Sequence, residues 1–137
     1  MSAINVEQAI YYLLKNSSSI TALCPDTSIY YLKGPENASY PIITYQRIST
    51  TLKDLTITGT NGIAMANIQI ATFDTTLSSA KQIANKIMQL LHGYKGTVDN
   101  FQILEIKQVN EFDSYEYENF VYQCYQSFNV YYVESLT

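Results

Sequence analysis

The sequence lacks most of the residues on which catalytic and metal chemistry depends. Among 137 residues there is no tryptophan, one histidine (His92) and two cysteines, Cys24 and Cys124. A structural zinc site needs several His, Cys or carboxylate ligands that converge, and neither cysteine has a partner at a metal-binding spacing. A nucleophilic cysteine needs a neighbouring base. The sequence therefore predicts no catalytic residue, no metal site and no cofactor.

Charge is scarce as well. Lys and Arg number 8 and Asp and Glu number 12, so charged residues make up 15% of the chain and the net charge is -4; soluble domains average about 25%. Without a basic stripe, tight nucleic-acid binding is not expected. No apolar run reaches the roughly 18 residues of a membrane span. The opening MSAINVEQAI does not resemble a secretory signal, so both cysteines are expected to be reduced and buried.

Tyrosine, in contrast to charged residues, is abundant. The chain has 13 Tyr, and 47% of its residues are hydrophobic. Tyrosine is enriched where proteins meet one another, but it also suits half-buried strand positions. Both interpretations stay open for any single tyrosine. The length predicts one domain over residues 1–137, which is large enough to bury a core.

Two amphipathic helices are predicted. Apolar residues recur at three- and four-residue spacing over residues 6–14, and Asn5 is a suitable N-cap. A second apolar stripe covers residues 80–91, and Gly93 stands where a left-handed C-terminal cap belongs.

Alternating residues predict four strands in two sequence-adjacent pairs. The first pair is PIITYQRIST and IAMANIQIATF, joined across the turn signal GTNG. The second pair runs through residues 101–106 and 120–132. The order α-β-β-α-β-β predicts an α+β fold, in which an antiparallel sheet of about four strands carries two helices on one face.

The first hairpin is predicted to extend beyond the sheet as a long arm. The projecting segment, residues 52–60, carries only Lys53 and Asp54 as charged residues. Hairpin arms and strand edges pair readily with other chains. The arm is therefore predicted to form a subunit interface through Leu52, Leu55, Ile57, Thr58 and Thr60.

Several short motifs follow one another along the chain. The first helix is followed by a short helical turn, ITALC, and PIITYQRIS fits a Pro-x-Ile-x-Tyr pattern. TGTNGIAMANIQIATFDTT predicts a small-residue hairpin that leads into an xIQI strand, and the helix AKQIANKIMQLLHGYKGT closes with Gly-Tyr-x-Gly. In this order the motifs resemble the tail completion (tail terminator, head–tail joining) family of siphophages, and the helix with its Gly-Tyr-x-Gly end is the sharpest match. The resemblance spans nearly the whole chain and contains no catalytic signature.

The resemblance implies a structural protein of the virion neck that is assembled in the host bacterial cytoplasm. Such proteins form rings, usually hexamers, that cap the finished tail tube and meet the head connector. The implied partners are other copies of the chain, the tail tube protein and the connector (adaptor) protein, with no membrane. DNA passes through the lumen without specific binding.

An acidic segment, EFDSYEYEN, is predicted to form a loop before the last strand. Because carboxylates do not hold DNA phosphates, this loop is predicted to face the lumen or a partner ring through Asp113, Tyr115, Glu116, Tyr117 and Glu118.

Two alternative functions stay open. A tail-tube or baseplate subunit would form a similar stacked ring. A small dimeric α+β ligand-binding domain or enzyme would need an apolar pocket with converging polar groups, for which Tyr45, Tyr122 and His92 are the candidates.

Overall fold

The computed structural model describes residues 5–35, 39–55 and 61–135, without the side chains of residues 53–55, 61, 134 and 135. Three α-helices lie within these residues. The helices are α1 (Val6–Lys15), α2 (Ser18–Thr21) and α3 (Leu77–Leu91), and a 3-10 turn (Asp26–Ser28) follows α2. None of them is long and apolar enough to cross a membrane.

The caps of the long helices follow from the sequence. Asn5 Oδ1 accepts the Gln8 N–H at 2.8 Å, and Gln8 Oε1 accepts the Asn5 N–H at 2.9 Å. This capping box satisfies two donors that a helix start leaves open. Thr76 Oγ1 accepts the Ser79 N–H and begins α3. Gly93 follows α3 with a φ of +84°, a left-handed conformation that glycine adopts without steric cost.

The described residues contain one sheet of six strands in the order β1-β2-β3-β6-β5-β4. The strands are β1 (Ile29–Tyr31), β2 (Ile42–Leu55), β3 (Asn61–Asp74), β4 (Gly96–Val98), β5 (Phe101–Glu116) and β6 (Val121–Ser135). The four long strands are the predicted ones, and they pair antiparallel. The predicted count of about four was too low and the predicted order α-β-β-α-β-β was incomplete. An additional strand of three residues precedes each predicted pair: β1, which is parallel to β2, and β4, which is antiparallel to β5. Strands this short carry no periodic signal.

The segment predicted as an acidic loop is a strand and a tight turn. β5 continues to Glu116, and residues 117–120 form the turn into β6. The prediction of a loop was wrong because the side chains of residues 109–114 are exposed on both faces of the strand. The sequence therefore shows no apolar alternation that would mark a strand. Pairing with the long β6 decides the conformation instead.

The helices cover one face of the sheet, as predicted. α3 packs on β3, β5 and β6, while α1 packs on β2, β4 and α3. Every second residue of β3 points toward the helices, and its neighbours Asn67 and Gln69 lie on the opposite face, as the alternation predicts. The core between the layers includes Ile10, Leu14, Ile43, Ile68, Ile70, Ile83, Ile87, Phe128 and Val130.

Candidate assembly surfaces

The β2–β3 hairpin is long, but its described part does not leave the sheet as a separate two-stranded arm. β6 has 15 residues and pairs with β3 along its whole length, from Asn61 opposite Ser135 to Asp74 opposite Tyr122. The hairpin is therefore supported on one side by a third strand.

The predicted arm residues are only partly within the described chain. Leu52 lies on β2 opposite the buried Ala64, and 60% of it is exposed. Leu55 belongs to β2, but its side chain is outside the described residues, as are Ile57, Thr58 and Thr60. Leu52 thus marks an apolar position that the subunit itself leaves largely open to solvent.

The margin of the sheet at β2 is open over most of its length. β1 pairs only with Ile43 to Tyr45, and the Leu32 N–H adds one bond to the Tyr45 carbonyl at 2.9 Å. No described residue pairs with β2 on this side over residues 47–55. Such an edge presents unpaired N–H and C=O groups to any strand that approaches.

The opposite margin, at β5, is covered at its start and open at its end. β4 pairs with the first three residues of β5, and His92 Nδ1 accepts the Gln108 N–H at 2.9 Å. Asn110 Oδ1 accepts the Glu111 N–H at 2.9 Å, which is a local means of closing an edge. Over residues 112–116 no described residue pairs with the outer side of β5.

The face of the sheet opposite the helices carries little charge. Among its described side chains, Glu105 and Lys107 lie 3.9 Å apart as a pair of opposite sign, and Glu116 lies at one end. Two cross-strand amide pairs with N···O distances of 3.0 Å bridge its centre: Gln46 with Gln69, and Asn67 with Asn129. The surface is thus mainly neutral and rich in amides and hydroxyls.

Lys81 of α3 neutralises part of the predicted acidic segment. Its Nζ contacts Glu111 and lies 3.3 Å from Asp113 Oδ1. The hydrogen bond to Glu111 is the main reason that the pKa of Lys81 is raised. With Cys124 these two carboxylates form a group of three potential metal ligands, but the ammonium already occupies their vicinity. Asp113 is therefore an ion-pair partner on the helix-covered face.

The other residues of that segment lie at the β5–β6 turn. Tyr115 packs against Tyr117 and Tyr122, with ring centroids 4.9 and 4.6 Å apart. Glu116 accepts hydrogen bonds from Asn119 at 2.7 Å and Gln123 at 3.4 Å, and Glu118 is exposed within the turn. The sequence prediction missed Phe120, which was expected to begin a strand and instead lies in the turn with its ring exposed.

The three candidates for a ligand or catalytic site, Tyr45, Tyr122 and His92, each contact a different set of residues. Tyr45 stacks on Tyr11 with centroids 5.9 Å apart, Tyr122 packs on Tyr115, and His92 accepts the hydrogen bond from Gln108. An acceptor role for Nδ1 places the proton of the neutral imidazole on Nε2. The lone histidine thus ties the end of α3 to β5.

Both cysteines are free and buried, as predicted. Burial raises the pKa of Cys24 from 9.0 to about 11. Burial also raises the pKa of Cys124 to about 12, with a further contribution from Glu111. Thiols with such pKa values are protonated at neutral pH and are poor nucleophiles.

The described residues thus present open strand margins and a mainly neutral sheet face as their main exposed features. The family model for "Tail completion protein gp17" matches residues 8–133. The chain therefore belongs to this bacteriophage tail completion family, as its motifs predicted, and is a structural protein of the virion tail.

A solved structure shares the fold. One chain of "Virion of native gene transfer agent (GTA) particle" superposes with a TM-score of 0.74 at 13% identity, covering 93% of this chain and 94% of that chain. At this identity the likeness establishes the fold alone. No curated protein matches the chain.

Proposed function

We propose that this protein forms a ring at the head-proximal end of the tail tube, where it terminates the tube and joins it to the head connector. The observation that carries the proposal is the pair of open margins at β2 and β5 on opposite sides of one sheet. A contact between unlike surfaces repeats from copy to copy and closes into a ring when the rotation per subunit divides a full turn. Six copies are the number that the family resemblance implies.

In this ring the β2 margin of one copy, residues 47–55, adds to the β5 margin of the next, residues 112–116. Strand addition of this kind derives its affinity from main-chain hydrogen bonds. Each contributes about 1 kcal/mol net, so a few of them together with buried apolar side chains make a stable joint. Leu52 and the remainder of the arm supply that apolar contact.

The neutral face of the sheet is proposed to line the lumen. Non-specific DNA affinity grows with each Lys or Arg that meets a phosphate. The described strand residues of this face include one lysine, Lys107, which is paired with Glu105, and Lys33 lies in the loop at one end. Asp113 does not contribute to the lumen, because Lys81 binds it on the helix side. Glu116 and Glu118 are the acidic residues left to face the lumen or a partner ring.

Particles lacking this protein test the proposed role. Full capsids alongside free tails, some of irregular length, are expected in negative-stain images. Absence of a tail-tube subunit would instead abolish tails altogether, so particles of that kind would favour the alternative tail-tube function. Joined, infectious particles would refute both.

The lumen assignment has its own test in charge-adding variants. Ser127 is half-buried on the neutral face and Gln82 is exposed on α3. Ser127→Lys is expected to slow DNA ejection in a salt-dependent way, because each copy adds one cation to the lumen. Gln82→Lys, with the same change of charge on the helix layer, should eject DNA at the parent rate. Equal rates for the two variants would reject the assignment.

A further inference from the structure

The β5–β6 turn holds two aromatic rings in solvent. Tyr117 is 80% exposed and Phe120 is 70% exposed. Phe120 has a φ of +55°, which is uncommon for a bulky residue and more readily adopted by asparagine; Asn119 stands one position earlier. The backbone thus takes a strained conformation that leaves the phenyl ring outside the core.

An open cavity of about 240 Å³ lies beside this turn. The loop after β1 and the starts and ends of the long strands line it, so it opens at the same end of the sheet. Leu32, 55% exposed and also at positive φ (71°), lies on its wall with Tyr40, which is 39% exposed. Exposed apolar side chains that gather at one end of a protein are typical of a docking surface.

The charge around these rings is acidic. Glu116 lines the cavity and Glu118 lies in the turn, whereas residues 108–137 contain no Lys, Arg or His. Lys33 also lines the cavity as a single cation. The surface is therefore complementary to an apolar side chain flanked by cationic residues.

We propose that this end of the subunit, which we term the aromatic end (Leu32, Tyr40, Glu116, Tyr117, Glu118 and Phe120), docks onto an adjoining protein ring of the virion. The partner inserts an apolar side chain into the cavity, and its Lys or Arg residues face Glu116 and Glu118. The inference rests on the proposed ring. The several copies of a ring present this contact together, which raises the overall affinity above that of a single contact.

The aromatic end lies at one end of the long strands β2 and β3. Ile42 pairs with Phe73 near the aromatic end, while Leu55 pairs with Gly62 at the far end of the same two strands. The two ends of the subunit therefore differ in chemistry, which gives the two sides of a ring different partners.

The test uses the double variant Tyr117→Ser/Phe120→Gly. Glycine accepts the positive φ, so the turn can form without the ring. Val109→Ser is the matched control, because Val109 is a 52% exposed apolar residue of β5 away from the turn. The parent protein, the double variant and the control are each mixed with two probes, isolated tails and filled capsids. Both probes come from an infection in which this protein is absent. Co-sedimentation measures binding, and negative-stain images score rings at tail ends.

The double variant is expected to bind one of the two probes at least tenfold more weakly than the parent, while the control binds both normally. Glu118→Lys should weaken binding to that same probe and make it less sensitive to salt. Parent-like binding of the double variant to both probes, or binding unchanged between low and high salt, would overturn the docking proposal and leave the ring intact. A parent protein that binds neither probe would overturn both the ring and the docking surface.

Discussion

Replacing Leu52 by Asp should leave the subunit folded and prevent its assembly. Because 60% of Leu52 is exposed, the subunit buries less than half of a side chain whose full burial is worth about 2 kcal/mol, so the loss to folding is about 1 kcal/mol. If the arm is buried between copies, an unpaired carboxylate there costs several kcal/mol at each contact. A cost of about 3 kcal/mol already weakens each contact roughly a hundredfold.

Two measurements separate these effects. Thermal unfolding followed by circular dichroism should show a Tm lowered by only a few degrees, as about 1 kcal/mol does in a domain of this size. Co-sedimentation with tails made without the protein should show loss of binding. Val109→Asp places the same charge at a similarly exposed position of β5 and should bind tails normally. Normal binding by Leu52→Asp, or equal failure of the control, would refute the role of the arm.

Three further changes test the interior and its ion pairs. Gln126 is fully buried; its Nε2 donates to the Ala84 carbonyl at 2.8 Å and to Gln108 Oε1 at 3.0 Å, whereas its Oε1 has no partner among the described residues. Gln126→Met removes both hydrogen bonds, at about 1 kcal/mol each, together with an unsatisfied oxygen that costs about 1–3 kcal/mol, so the Tm should stay within a few degrees of the parent value. The folded pKa values of Cys24 and Cys124, about 11 and 12, exceed the unfolded value of 9.0. Stability should therefore be complete below pH 9 and fall as the pH rises from 9 to 12, which urea titrations at several pH values measure. Lys81→Met leaves two carboxylates facing one another on a partly exposed surface and should cost about 1 kcal/mol at low ionic strength, with partial recovery in high salt because salt screens the repulsion; a loss independent of salt would contradict this account.

The local sequence pattern was sufficient to predict a helix or strand where one face of that element is buried. The capping box at Asn5, the apolar stripe of α3 and the alternation along β3 all reflect periodicities that burial imposes on sequence. The two buried thiols also agree with the expectation from composition. The motif order was enough to indicate the tail completion family.

The assembly surfaces were less accessible to prediction, because exposed residues carry no periodic signal. β5 extends through residues 109–116 only because β6 is long enough to pair with it. The short β1 and β4, which leave most of β2 and the end of β5 open, have too few residues to be recognised. The acidic segment looked like a loop for the same reason.

The sequence by itself determined the two layers, the helix-facing residues, the scarcity of charge and the family. Tertiary structure alone decided which strands became margins, which carboxylate Lys81 neutralises and which aromatic rings remain in solvent. The physical reason is that burial of one face requires apolar residues at regular local spacing, which the sequence shows directly. Pairing across the sheet depends instead on strand lengths and on register between distant segments. Phe120 shows the difference most clearly: its sequence context suggested the start of a strand, and the closing of the β5–β6 turn placed its ring outside.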